Sequence, residues 1–272
     1  MIRPFAAVVG WPANHSLSPV MMRRWLDDAG MDGEYGRLEI PSDHFDAFCR
    51  SLPALGWTGV NVTSPHKSAA LTAAHTATEA AQAVGAANLL TVGSDGRLKA
   101  DNTDIAGVAE ALKPDAGSGP AVLVGAGGAA AAALFHLASQ DREIRLVNRT
   151  RAKAEALAAR YDRPVGVGTD IESALDGAAL LINATTLGMA GKPALEPDLS
   201  PMTPAALVFD MVYTPLETRL LKAARRSGRR SVDGLAMLIG QARPSFEAFY
   251  SVRPLFGTDM HAHLATHLGE TA

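Results

Sequence analysis

Short apolar runs alternate with alanine-rich stretches along almost the whole chain, and that alternation leaves few architectures open. Strands are expected at Phe5–Val9, Tyr35–Ile40, Trp57–Val62, Leu89–Val92, Ala121–Val124, Ile144–Val147, Leu180–Asn183 and Leu207–Met211. Helices fit between them at Val20–Ala29, His44–Leu55, Ser68–Ala74, Ile105–Leu112, Ala129–Ser139, Ala152–Tyr161, Glu217–Ser227 and Leu235–Phe249. Strand, helix, strand in one sheet requires a right-handed crossover, so the pattern predicts parallel α/β sheets. One stretch departs from it: in LLTVGSDGRLKA, Asp95-Gly96 between two short runs reads as a hairpin turn. The composition breaks once, at KPDAGSGP (113–120), which holds two prolines and two glycines and reads as a loop at a domain boundary.

A length of 272 residues suits one large domain or two small ones, each able to bury a core. The formal charge of −3 argues against a nucleic-acid or anionic-membrane partner, which would want a basic face. The single Cys49 excludes an internal disulfide and a multi-cysteine zinc site. The first residues, MIRPFAAVVGWP, do not read as a signal peptide, and no apolar run approaches the roughly 20 residues of a membrane helix. A cytoplasmic protein is expected.

After the strand AVLV comes GAGGAAAAALFHLA, a G-x-G-x-x-A turn of Gly125, Gly127 and Ala130 that opens a helix. The first glycine permits the tight turn, the second lets backbone approach a pyrophosphate, and the small third residue allows close helix–strand packing. A pyrophosphate would sit on free N–H groups at the positive end of the helix. A bare glycine-rich turn also serves purely structural ends, but this one stands between a strand and a helix, as dinucleotide binding demands. The next strand, EIRLV, ends without the acid that grips the ribose 2′-hydroxyl of NAD; it offers Asn148, Arg149 and Thr150, with Arg151 and Lys153 behind. Arg149 can hold a 2′-phosphate by charge-assisted hydrogen bonds, so NADP is the expected cofactor.

Three polar clusters fall at strand ends: Ser16 and Ser18 in NHSLSP; Asn61, Thr63 and Lys67 in GVNVTSPHK; Asn102 and Asp104 in ADNTD, with Asn88 in VGAANLL. Ligands of open parallel sheets bind beyond the carboxyl ends of the strands, where these clusters should lie. Singly, Ser16 or Asp104 also serves as a helix N-cap, Asn88 as a turn residue and Lys67 as a surface charge. Together, at strand ends and without an acidic pattern for a metal, they point to a ligand site rather than to separate structural roles.

With NHSLSP, GVNVTSPHK, VGAAN, DNTD, GAGGAA, NRT, INATTLGM, DMVYTPLET and GLAMLIGQA in this order, the chain resembles the shikimate dehydrogenase family from Gly10 to about Phe249. The resemblance implies two α/β domains: a substrate domain at 1–104 and a Rossmann-type NADP domain at 105–234. A helical segment at 235–272 returns to the first domain. It implies reversible NADPH-dependent reduction of 3-dehydroshikimate to shikimate, on the route to aromatic amino acids; a monomer or homodimer is expected. Lys67 and Asp104 are the implied catalytic pair. Ser16, Ser18, Thr63, Asn88 and Gln241 are the implied substrate contacts, with Asn61 and Tyr213 near them. Gly125, Ala126, Gly127, Gly128 and Ala129 are implied to cradle the pyrophosphate, and Asn148, Arg149, Thr150 and Lys153 the 2′-phosphate. Met211 and Gly234 flank the nicotinamide in this correspondence, and Glu79 touches the cofactor side. A lysine ammonium bonded to a carboxylate suits the chemistry, since it can stabilise and protonate the oxygen that hydride transfer leaves negative.

The chain departs from the family pattern at Leu89, Ile105, Met22 and Arg23, none of them a catalytic position. Two other readings compete: a quinate/shikimate dehydrogenase using NAD, against which the acid-free strand end argues, and a non-catalytic NADP sensor, which would tolerate loss of Lys67 or Asp104.

Overall fold

The computed structural model describes residues 4–115, 118–254 and 258–269. The chain forms two compact units, one of residues up to Ala106 with Leu238–His267, the other of Gly107–Met237. Of the loop expected at 113–120, Ala116 and Gly117 lie outside the described residues. Asp115 on one side of them is paired with the fully buried Arg142 side chain, whose Nε donates to the Gly119 carbonyl at 2.9 Å.

The first unit is built on β1 (Phe5–Gly10), β2 (Glu34–Glu39), β3 (Gly59–Val62), β4 (Thr76–Ala77), β5 (Leu89–Val92) and β6 (Leu98–Asp101), in the order β2-β1-β3-β5-β6-β4. β1 pairs in parallel with β2 and β3, but β5 runs antiparallel to both β3 and β6. The β5–β6 hairpin turns through Gly96 at φ +73°, a conformation that glycine adopts without steric cost. The hairpin decides where the polar clusters go. Because β5 is reversed, its entry at Asn88 lies at the same edge as the exits of β1, β3 and β6.

Helices α1 (Ser18–Asp28), α2 (Phe45–Ser51), α3 (Lys67–Ala73), α4 (Glu79–Val84) and α5 (Asp104–Ala111) follow these strands, and α10 (Gly234–Tyr250) and α11 (Met260–His267) close the chain. One face of the sheet packs Val9, Val60, Val62 and Leu90 against Phe45, Cys49 and Leu52. α10 brings its aromatics back onto this unit: Phe246 meets Trp25 edge-on at 5.6 Å, and the Tyr250 hydroxyl donates to the Glu34 carbonyl at 2.7 Å. Each such buried side chain contributes about 1.5–3 kcal/mol, so the return of the helix is well anchored.

The second unit carries β7 (Ala121–Val124), β8 (Ile144–Val147), β9 (Gly166–Gly168), β10 (Leu180–Asn183), β11 (Leu207–Asp210) and β12 (Arg230–Val232), all parallel, in the order β12-β11-β10-β7-β8-β9. Every residue of β7, β10 and β11 is buried, as strands covered on both faces require. α6 (Gly128–Ala138) buries the run Ala130–Ala133, whose small side chains bring its backbone close to the sheet; α7 (Arg151–Ala158), α8 (Ile171–Ala174) and α9 (Arg219–Arg226) complete the layers.

The interior strands lie where the apolar runs place them. The edge strands β4, β9 and β12 and the short helices α4 and α8 were not expected, whereas α11 falls within the helical segment expected over 235–272. The helix expected from His44 to Leu55 ends at Ser51, and Pro53 follows in turn structure.

Candidate active site

Lys67 is the first residue of α3, and the corner before it is fixed. The Thr63 N–H donates to the Val9 carbonyl at 2.8 Å and the His66 N–H to the Thr63 carbonyl at 3.0 Å. The buried His66 ring stacks on Phe45 at 4.4 Å, and its Nε2 donates to the Ile40 carbonyl at 2.7 Å. From this corner the lysine Nζ reaches Asp104 Oδ2 at 2.5 Å. The lysine side chain is 23% exposed and the aspartate 7%, so the lysine is partly accessible while its partner is enclosed.

The carboxylate is itself held. Asp104 Oδ1 accepts from Asn88 Nδ2 at 2.9 Å, and the Asp104 N–H donates to Asn102 Oδ1 at 3.1 Å. Asn102 in turn donates to the Ala86 carbonyl at 2.8 Å, and Asn88 Oδ1 accepts from the Thr103 N–H at 2.6 Å. Hydrogen bonds to a charged group contribute about 1.5–3 kcal/mol each, enough to fix one geometry for the pair.

The other candidates of this unit converge on the same edge. In the loop after β1, Glu39 accepts from the N–H groups of Ala13 and Asn14 at 2.8 and 3.0 Å, and Arg37 donates to the Ser16 carbonyl at 2.6 Å. Ser16 and Ser18 are buried, and the Ser18 N–H donates to Ser16 Oγ at 3.3 Å. The Trp11 N–H donates to the Ser64 carbonyl at 3.1 Å, tying this loop to the one after β3, where Thr63 is half-buried. Tyr35 lies between Ser18 and Asn61: its hydroxyl donates to Asn61 Oδ1 at 2.8 Å, and burial raises its pKa well above the usual phenol value despite the Ser18 hydroxyl.

Asn61 is more committed than the sequence suggests. Its amide donates to the Asn88 carbonyl at 3.2 Å and to Ser245 Oγ at 2.8 Å, so both N–H donors are engaged within the protein. Gln241 Oε1 accepts from the Thr103 hydroxyl at 3.5 Å, and its Nε2 donates to the Leu238 carbonyl at 2.9 Å. Tyr35, Thr103 and Ser245 were not foreseen. Ser245 stands four residues after Gln241, one helical turn along the same face, which was its only signal.

The candidate cofactor residues lie in the second unit, except the exposed Glu79 at the start of α4 in the first. Tyr213, expected near the substrate contacts, also belongs to the second unit, just after β11. Gly125 has φ +118°, and a Cβ there would stand 3.0 Å from the Ala184 carbonyl oxygen and 3.1 Å from Thr185 Cγ2. Gly127 precedes α6 with no side-chain cap, and a Cβ on it would meet nothing within 4 Å. Gly125, Ala126, Gly127, Gly128 and Ala129 thus form a tight turn, open beside Gly127, at a helix start whose N–H groups can take an anion. At the end of β8, Asn148 Nδ2 donates to the Thr150 carbonyl at 2.8 Å. Arg149, Thr150 and Lys153 are exposed; Arg151 pairs with Glu155 at 2.8 Å, whereas Arg149 has no ion pair among the described residues. The donor set fits a phosphorylated ribose. Gly234 sits against the Met211 carbonyl, where a Cβ has no room.

Two family models match the chain: the shikimate dehydrogenase substrate binding domain over residues 8–90 and shikimate / quinate 5-dehydrogenase over residues 108–196. The chain is 46% identical to a shikimate dehydrogenase (NADP(+)) of Methylobacterium radiotolerans, with 97% of this chain and 98% of the relative covered. It is 48% identical to the one of Rhodospirillum rubrum, with 92% of each covered. A crystal structure of shikimate 5-dehydrogenase from Thermus thermophilus, in complex with NADP(H) and shikimate, superposes with a TM-score of 0.85 at 33% identity, covering 93% of this chain and 95% of that one.

Proposed function

The chain belongs to the shikimate dehydrogenase family, and on that premise we propose which of its residues carry the reaction. The protein is an NADP-dependent oxidoreductase that reversibly reduces 3-dehydroshikimate to shikimate. Bound NADPH supplies the hydride. As the ketone carbon is reduced, negative charge gathers on its oxygen. Lys67 donates a hydrogen bond to that oxygen and passes its proton to it; Asp104 Oδ2, 2.5 Å from Nζ, aims the ammonium and stabilises it beforehand. In the oxidation direction the neutral amine takes the hydroxyl proton back. The Lys67–Asp104 pair is the observation that carries this reading.

Ser16, Ser18, Thr63, Asn88 and Gln241 are assigned to the hydroxyls and carboxylate of the substrate, and Tyr213 keeps the substrate role that the family resemblance implies. Asn61 is assigned to support rather than contact, since its donors are engaged. A site built to bond hydroxyls leaves its own buried polar groups unpaired when an analogue lacks them, and so rejects it. Gly125 to Ala129 are assigned to the pyrophosphate, Asn148, Arg149, Thr150 and Lys153 to the adenosine 2′-phosphate, and Met211 and Gly234 to the nicotinamide; Glu79 keeps the cofactor role that the resemblance implies. We place the enzyme in the cytoplasm as a monomer or homodimer that engages no nucleic acid, a reading supported by the net charge of −3 and the lone cysteine. Among the described residues no helix is long and apolar enough to cross a membrane.

The test is the absorbance band of NADPH on mixing the protein with shikimate and either NADP or NAD. The band should rise with NADP and far more slowly with NAD; equal rates would remove the 2′-phosphate assignment, and no rise with either would sink the reading.

A further inference from the structure

β11 ends in an aspartate that the mechanism above does not use. Asp210 is fully buried, and among the described residues it belongs to no ion pair. A carboxylate in that position is expensive unless its oxygens are fully engaged. Here they are. Oδ1 accepts from Asn183 Nδ2 at 2.9 Å and from the Val212 N–H at 3.1 Å, and Oδ2 accepts from the Thr218 hydroxyl at 2.7 Å. Burial pushes the carboxyl pKa up, and these three donors oppose the rise.

Each donor fixes a different piece of chain. Asn183, also fully buried, organises the loop after β10: its Oδ1 accepts from the Thr185 N–H and hydroxyl at 3.1 and 2.7 Å, and its Nδ2 donates to the Leu187 carbonyl at 3.0 Å. The Val212 N–H belongs to the chain leaving β11, where the Met211 N–H donates to the Asn183 carbonyl at 3.0 Å and Gly234 presses on the Met211 carbonyl. Thr218 caps α9, accepting from the Leu221 N–H at 3.2 Å. The Ala190 N–H, donating to the Thr214 carbonyl at 2.9 Å, joins the two loops.

The position of these loops gives the network its meaning. The strand order reverses between β7 and β10, and a dinucleotide lies across such a reversal. With the phosphate turn after β7 and the 2′-phosphate residues after β8, the nicotinamide half falls beyond β10 and β11, where residues 184–189 and 211–216 stand. We infer that Asp210, with Asn183 and Thr218, is a positioning residue that shapes the nicotinamide end of the cofactor site without touching the cofactor. The inference rests on the NADP reading above.

Thr218→Val removes one donor to the carboxylate, and Thr218→Ser keeps it. Calorimetric titration of the full chain with NADP should show about tenfold weaker binding for Thr218→Val, the loss of one hydrogen bond to a charged group, and wild-type binding for Thr218→Ser. Adenosine 2′,5′-bisphosphate, which lacks the nicotinamide half, should bind all three proteins alike, and the KM for shikimate should not move. Asp210→Asn, which leaves the Thr218 cap of α9 in place, should weaken NADP selectively too and serves if Thr218→Val loses its melting transition. Unchanged NADP binding in a folded Thr218→Val or Asp210→Asn, or equal losses for NADP and the bisphosphate, overturns the inference. Wild-type protein that binds neither ligand overturns the cofactor reading, and this inference with it.

Discussion

Asp104 gives Lys67 both a charge partner and a direction, so the two residues are expected to fail together. Asp104→Asn keeps the shape but loses the charge that aims the ammonium, and turnover should fall by roughly the 10²–10⁴-fold typical of a general acid–base. The double variant with Lys67→Ala should lose far less than the product of the single losses, because groups acting as a unit are not additive. Steady-state kinetics of the three variants checks this, and multiplicative losses would contradict it. Arg149 is exposed with no ion pair among the described residues, free to meet a phosphate. Arg149→Asp should raise the KM for NADP and leave that for shikimate in place; an unchanged ratio of the NADP and NAD constants would remove it as the anchor. Cys49 offers a check on the core of the first unit. It is 1% exposed, and burial, reinforced by the nearby Asp46, pushes its thiol pKa up to about 12. About one thiol in ten thousand is then ionised at pH 8, so a disulfide reagent should label the native protein negligibly and the unfolded protein once. Prompt labelling of folded protein would contradict the packing of α2 on the sheet.

The two glycines of the phosphate turn are demanded for different reasons, and the element separates them. At Gly125 the backbone is at φ +118° with the Ala184 carbonyl 3.0 Å from any Cβ, so Gly125→Ala should cost about 1–3 kcal/mol of stability. At Gly127 a Cβ meets nothing within 4 Å, so Gly127→Ala should fold normally and lose NADP affinity by filling ligand space. Melting curves and NADP titrations on both distinguish the cases; a destabilised Gly127→Ala would contradict the open turn. Interior strands such as AVLV and LLIN were legible because two-sided burial writes an unbroken apolar run. The edge strands TA, GVG and RSV carry no such run and exist because a neighbour offers its ladder. Lys67, Asn88 and Asp104 were legible as polar residues breaking strand ends. The link from Asn183 to Asp210 was not, since a bond between side chains 27 positions apart leaves no local periodicity. Ser245 was hidden likewise, inside an apolar helix.

At the scale of the whole molecule, the proposed roles fall to different units: substrate binding and proton transfer to the first, NADP binding to the second. Changes in one should therefore leave binding to the other intact, and Lys67→Ala tests that division together with the proton transfer. Turnover is measured at saturating shikimate and NADP, beside the dissociation constant for NADP. Turnover should fall roughly 10²–10⁴-fold with NADP affinity unchanged. A loss of less than tenfold would remove Lys67 from the mechanism and contradict proton transfer by this residue.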